Sequence, residues 1–236
     1  SPIIVISGEH EDRINDTARS HWIEPLTKWS ARTSSPSDVA ARVPEAVHAA
    51  CSGHPRPVYL EVPSSVLSQE EEVEIAPPIS IHPTSGDAET LERAARMLSE
   101  AKRPLILAGT GVHRSGASTT LKKLAEKLPA AVVTTTAGKG CISDRNPLAL
   151  GNALRAYKPL VAFAQSCDVI LSIGTSNGPV SLLDVDPSCV IRVDLDPDAL
   201  TADQALAIKA DAHFALETLT EIVRPGKAEN PVSASL

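Results

Sequence analysis

Leu105-Ile106-Leu107-Ala108-Gly109-Thr110-Gly111-Val112 and, further along, Ala131-Val132-Val133-Thr134-Thr135-Thr136-Ala137-Gly138-Lys139-Gly140 repeat one pattern: an apolar strand that empties into a glycine-bearing turn. In open α/β sheets such turns follow the carboxyl ends of the strands and present backbone N–H groups to a ligand. The two blocks therefore decide the fold class and mark the expected binding edge.

The same alternation extends outward from them. Asp87 is a suitable N-cap for a helix whose apolar stripe is Leu91, Ala94, Ala95 and Leu98, and Arg103-Pro104 leads into the first strand. Leu121, Leu124, Ala125 and Leu128 mark a second helix, and Leu160, Phe163, Ala164 and Cys167 a third before the strand Asp168–Ile173. Val190–Asp194 is a further strand, Ala207-Ile208-Lys209 a short edge strand, and Ala212 to Val223 a closing helix. Helices alternating with short Val/Ile/Leu strands imply right-handed crossovers and a doubly wound parallel sheet covered on both faces, spanning 87–225.

Residues 1–67 read as a smaller, partial α/β unit. Pro2 to Gly8 is a buried-type strand, Glu9 to Ser20 is polar, and Leu26 to Arg32 is a candidate edge strand. A helix is expected from Ser37 as N-cap, with Val39, Val43, Ala46, Val47 and Ala50 at helical spacing and a kink or restart at Pro44. Ser52-Gly53-His54-Pro55 stops it, and Pro57 to Pro63 forms another strand. This unit is too small to bury both faces of a sheet, and the chain opens directly as a strand, so it is expected to be cut from something longer. Residues 68–86, with Glu70-Glu71-Glu72 and Pro77-Pro78, read as an extended linker, and 226–236 as a flexible tail. The acid run could serve as a binding tail or simply as a solvated linker.

Composition closes several alternatives. Hydrophobic residues make up 42% and aromatics only 3%, so the core must be built from Ala, Val, Leu and Ile, as buried parallel strands and their covering helices are. A net charge of -7 and no basic patch interleaved with aromatics argue against a nucleic-acid partner. Cys51, Cys141, Cys167 and Cys189 are widely spaced, without a C-x-x-C pair, which argues against zinc and a disulfide scaffold and points to a reducing, cytoplasmic compartment. No apolar run approaches the ~20 residues of a membrane span, so no membrane partner is expected.

Gly109-Thr110-Gly111 stands where a nucleotide phosphate would sit, but the spacing through Gly116 is not the dinucleotide fingerprint. Glycines that merely permit a tight βα turn are the alternative. Gly138-Lys139-Gly140 offers amides and one cation without Walker spacing, and Gly174-Thr175-Ser176-Asn177-Gly178 follows a third strand in the same way. Asp194-Leu195-Asp196-Pro197 ends a fourth, where an acid can bind ribose hydroxyls, a pair can hold a divalent ion, or the segment can be a plain surface turn. His113 is the one histidine in a glycine turn, and Cys141 reads as a small packed thiol. No H-E-x-x-H is present, and no catalytic residue or metal ligand is assigned.

Read in order, Arg103–Val112, Thr135–Gly140, Asn146–Gly151, Cys167–Thr175 and Arg192–Pro197 resemble the central domain of thiamine-diphosphate-dependent enzymes of the acetolactate synthase, benzoylformate decarboxylase and oxalyl-CoA decarboxylase type. Pro2–Gly8, Leu26–Arg32 and Pro57–Leu67 resemble the last part of the preceding pyrimidine-binding domain. The resemblance implies a Rossmann-like central domain in a homo-oligomeric lyase or transferase acting on a 2-oxo acid. It also implies thiamine diphosphate and Mg²⁺, with the activating glutamate upstream of this chain and the Gly-Asp-Gly segment in a third domain; those missing domains would be its partners. In some branches the central domain holds FAD or ADP, and by position Gly109, Thr110, Gly111, Thr135, Gly151, Gly174, Thr175, Asp194, Asp196 and Asp211 match the adenine-nucleotide contacts. Lys28 matches a lysine near the substrate channel, or is an exposed strand lysine. Gly151-Asn152-Ala153 lacks the Gly-Met-His-Gly loop of the FAD-binding synthases, and Gly174-Thr175-Ser176-Asn177 lacks their Arg-Phe-Asp turn, which favours ADP or an empty cleft over FAD. The reading from another class is a stand-alone nucleotide-binding or regulatory module without catalysis.

Overall fold

The computed structural model describes residues 1–9, 22–153, 157–175 and 177–228, and the chain divides into two units, 1–82 and 83–236. Most of the polar stretch after Gly8, Ser176 of the third glycine turn, and most of the expected tail lie outside the described residues.

The first unit contains β1 (Ile4–Glu9), β2 (Trp29–Arg32), α1 (Pro36–Cys51), β3 (Val58–Pro63) and the one-turn helix α2 (Ser64–Leu67). Among the described residues its strands form a parallel sheet in the order β1-β3-β2, which makes β2 an edge strand. Helix α1 starts two residues earlier than Ser37 would place it. Ser35 is the N-cap, its hydroxyl accepting from Asp38 N, because Pro36 has the fixed φ suited to the first helical position and no N–H to satisfy. Pro44 does not restart the helix, which continues to Cys51. Proline there removes one bond toward Ala40, but Ala46 and Ala50, both sealed against Val58, fix the following turns by tertiary packing.

The second unit runs α3 (Ala88–Glu100), β4 (Pro104–Ala108), α4 (Thr110–Arg114), α5 (Ser118–Lys127), β5 (Ala131–Thr134), β6 (Ala149–Asn152), α6 (Lys158–Gln165), β7 (Val169–Ile173), α7 (Asn177–Leu182), β8 (Val190–Asp194), β9 (Leu206–Lys209) and α8 (Ala212–Ile222). All its described strand pairs are parallel, in the order β6-β5-β4-β7-β8-β9. Period-two alternation sorts the side chains into two layers. Ile106, Leu171, Ile191 and Val193 face a core shared with Leu91, Leu98, Leu121, Leu124, Leu216 and Leu219 of α3, α5 and α8. Leu105, Leu107, Ile170 and Val190 face Leu160 and Ala164 of α6. Asp87 caps α3 as its sequence indicates, accepting from Thr90 N at 2.8 Å.

The chain leaves β4 toward β5 and β6, then returns across β4 to build β7, β8 and β9 on the other side. The sheet therefore reverses between β4 and β7, where open α/β sheets leave a crevice at their carboxyl edge.

Candidate functional site

Because the strands are parallel, every turn that follows one emerges at the same edge. Gly109, Thr110 and Gly111 follow β4, Thr135 follows β5, and Gly151 is the penultimate residue of β6. Gly174 and Thr175 follow β7, Asp194 ends β8 with Asp196 two residues on, and Asp211 stands between β9 and α8. The structure thus brings these ten residues to one sheet edge. Lys28 belongs to the first unit, where its Nζ donates to the carbonyls of Ser52 (2.6 Å) and His54 (3.3 Å) just past the end of α1.

The glycines have a specific packing task. Gly109 N donates to Ile173 O at 3.0 Å and Gly111 N to Gly174 O at 2.9 Å, so the turns after β4 and β7 are bonded across the switch point. A Cβ on Gly109 would lie 2.2 Å from Gly174 O, and one on Gly111 would lie 2.6 Å from Gly174 Cα. Gly138 is equally confined, with 2.5 Å to Ala108 O. The apposed backbones therefore account for these glycines. Gly151 differs: its φ of +98° requires glycine, and nothing approaches within 4 Å of where its Cβ would be.

A buried polar network underlies the acidic side of the edge. Arg192, 1% exposed within β8, donates to Ser172 Oγ (3.1 Å), Thr175 O and Asp194 Oδ2 (3.3 Å). Burial lowers its pKa from the usual guanidinium value, and the adjacent Asp194 carboxylate opposes that shift. Its Nε has no partner. Ser172 Oγ and Thr175 Oγ1 share a hydrogen bond of 2.9 Å. Asp194 Oδ1 accepts from Asp196 N, Asp196 Oδ1 from Asp198 N, and Asp211 Oδ1 from His213 N, so each acid also holds a turn or helix start. Arg192 and Ser172 were not singled out as site residues. Their signal was a charge and a hydroxyl inside strands otherwise built of Val, Ile and Leu.

Neither buried thiol is set up for nucleophilic attack. Cys141 is sealed against Gly109 O, and burial pushes its pKa up to about 11; burial pushes Cys167 up to about 12. His113 is held by Lys139 O, 2.8 Å from its Nε2.

The sequence has no Gly-Asp-Gly, and among the described residues no group of three or more His, Cys, Asp or Glu could hold a metal ion. Among the described residues no helix is long and apolar enough to cross a membrane.

Residues 91–221 match the family model described as thiamine pyrophosphate enzyme, central domain. The acetolactate synthase large subunit of Corynebacterium glutamicum is 29% identical over 216 residues, covering 87% of this chain and 34% of that protein. The glyoxylate carboligase of Escherichia coli O157:H7 is 27% identical over 249 residues, covering 94% and 40%. The chain spans roughly two fifths or less of these curated relatives. The crystal structure of benzoylformate decarboxylase from Polynucleobacter necessarius superposes with a TM-score of 0.80 at 20% identity, over 98% of this chain and 46% of that one, and shows the same fold.

Proposed function

We propose, on the premise that this chain belongs to the thiamine pyrophosphate enzymes through their central domain, that it is the scaffold portion of a longer enzyme acting on a 2-oxo acid, as a decarboxylase or an acetolactate-synthase-like carboligase. The cofactor of such an enzyme supplies an electron sink for the carbon left by decarboxylation. In this reading thiamine diphosphate and Mg²⁺ are held by the remaining pyrimidine-binding and diphosphate-binding segments, which are this chain's partners in a cytoplasmic homo-oligomer. Residues 87–225 hold those segments in place, and 1–67 complete the pyrimidine-binding domain.

The second part of the proposal is an adenine-nucleotide cleft at the sheet edge, taking ADP in preference to FAD. The observation that carries it is the convergence of Gly109, Thr110, Gly111, Thr135, Gly151, Gly174, Thr175, Asp194, Asp196 and Asp211 on the carboxyl ends of parallel strands. Thermal unfolding of the chain with ADP, FAD, NAD, coenzyme A and thiamine diphosphate tests it. A ligand at a hundredfold its Kd adds about 2.7 kcal/mol of apparent stability, so ADP should raise the midpoint while thiamine diphosphate leaves it unmoved. No shift with any adenine nucleotide would remove the cleft from the proposal.

A further inference from the structure

We infer that β1 is an interaction surface through which two copies of this chain join, edge to edge, by antiparallel pairing of their β1 strands. The inference goes beyond the function proposed above and does not depend on the nucleotide cleft. Among the described residues β1 pairs only with β3, so its other edge is open. Val58 N donates to Ile3 O at 2.8 Å, which turns the N–H and C=O groups of Ile3, Val5 and Ser7 toward β3 and those of Ile4, Ile6 and Gly8 outward. Strand edges are ordinarily blunted by lysine, proline or a covering element. From Ile3 to Gly8 there is neither lysine nor proline, and Ile3, Ile4, Val5 and Ile6 are all exposed, Ile6 by 62%. Both faces of the strand are thus uncovered, where a strand of a parallel sheet is normally buried on both.

A second copy fits this edge because the edge is self-complementary. A two-fold axis through Ile6 sets that residue against its own copy and sets Ile4 against Gly8, so every outward N–H and C=O of the three finds a partner. Side chains directly opposite share a face, and here it is the face of Val58 and Leu60, the register partners of Ile4 and Ile6. Ile6 therefore meets Ile6, and Ile4 enters the space over Gly8, where a Cβ would find only Leu67 Cδ1 and Val62 O, each at 3.8 Å. Leu67 is itself exposed, as are Val43 and Val47 of α1, the helix packed on this same face through Ala46, Ala50 and Val58. The apolar surface thus continues beyond the strand. No charged side chain stands between Ser1 and Gly8, so two copies of a chain of net charge -7 meet here without opposed like charges.

Sedimentation velocity of the 236-residue chain over a wide range of concentration should show a monomer–dimer equilibrium. Ile6→Pro removes only an outward N–H, which edge strands tolerate, and Ile6→Lys keeps the backbone while opposing two cations across the axis. Each should raise the dimer dissociation constant about tenfold or more with the circular dichroism of the fold retained. In a Cys51→Ser background, Ile6→Cys should link two chains through a disulfide under mild oxidation, because hydrogen-bonded antiparallel partners stand about 5.5 Å apart at Cα. Ile4→Cys, placed opposite Gly8, should not. A chain that is monomeric at every concentration would overturn the inference and leave the edge of β1 to a strand of another polypeptide. A dimer that survives both Ile6→Pro and Ile6→Lys, or that cross-links equally well through Ile4→Cys, uses another surface or register and overturns it as well.

Discussion

Arg192 and Asp194 form an ion pair at 3.3 Å with both side chains sealed from water, 1% and 9% exposed, on the same face of β8. The pair joins the turn after β7 to the turn after β8, because the guanidinium also reaches Thr175 O and the carboxylate caps Asp196 N. Removing one partner of a buried pair leaves the other charge without compensation, at a cost of about 3–5 kcal/mol. Arg192→Met should therefore lower the unfolding free energy by that amount in urea titrations. Adding Asp194→Asn, which removes the stranded charge and keeps an acceptor for Asp196 N, should recover part of the loss. No recovery in the double variant would show that the cation's other contacts, and not the pair, carry the stability.

Gly109→Ala and Gly151→Ala separate two reasons for glycine. At Gly109 the new methyl would meet Gly174 O at 2.2 Å, and neither backbone can yield without opening the β4–β7 junction. The expected loss is about 3 kcal/mol, with disturbance spreading to Gly111 and Gly174. At Gly151 space is open and only the φ of +98° resists, at about 1–2 kcal/mol. Denaturant midpoints of the two variants should rank in that order. An equal or reversed ranking would mean that the β4 and β7 turns separate more easily than their packing indicates.

The larger unit was legible because its strands are short apolar runs closed by Gly, Thr or Asp, and because Leu and Ala recur on one face of α3, α5 and α8. Strand β6 was not legible. Among the described residues Ala149-Leu150-Gly151-Asn152 pairs only with β5, has low β-propensity and is only half-buried, so neither period nor composition marks it. The position of the candidate site was readable from strand-end glycines. Their engagement was not, because the Gly109–Gly174 and Gly111–Gly174 contacts join segments more than sixty residues apart, and sequence alone cannot show that an amide is already donated across such a gap.

Lys28→Met tests the lysine whose match suggested a place near a substrate channel. Its ammonium bonds to Ser52 O and His54 O, two carbonyls that follow the last turn of α1, where a cation is also favoured by the helix dipole. A loss of about 1 kcal/mol is expected for the first unit. Hydrogen exchange should quicken at the amides of Ser52 and neighbouring residues while β4 and β7 stay as protected as before. Unaltered exchange around Ser52 would free Lys28 for a role outside the fold.

Cys141 and Cys167 give the folded chain a dependence on alkaline pH whose sign is fixed by burial. Their pKa values are pushed up to about 11 and about 12, from an ordinary value of 9.0, because the thiolate cannot be solvated in either core layer. The folded state keeps protons that the unfolded chain releases above pH 9. Stability is therefore intact below that pH and declines as pH rises from 9 toward 11, by up to about 1.4 kcal/mol per pH unit for each thiol. Urea unfolding at pH 8 and 10.5 should show the decline, and Cys141→Ala with Cys167→Ala should flatten it while lowering stability at both pH values through lost packing. Alkylation at pH 8 should modify the exposed Cys51 first and spare both buried thiols until urea unfolds the chain. A decline equally steep in the double variant would assign the alkaline loss to other groups.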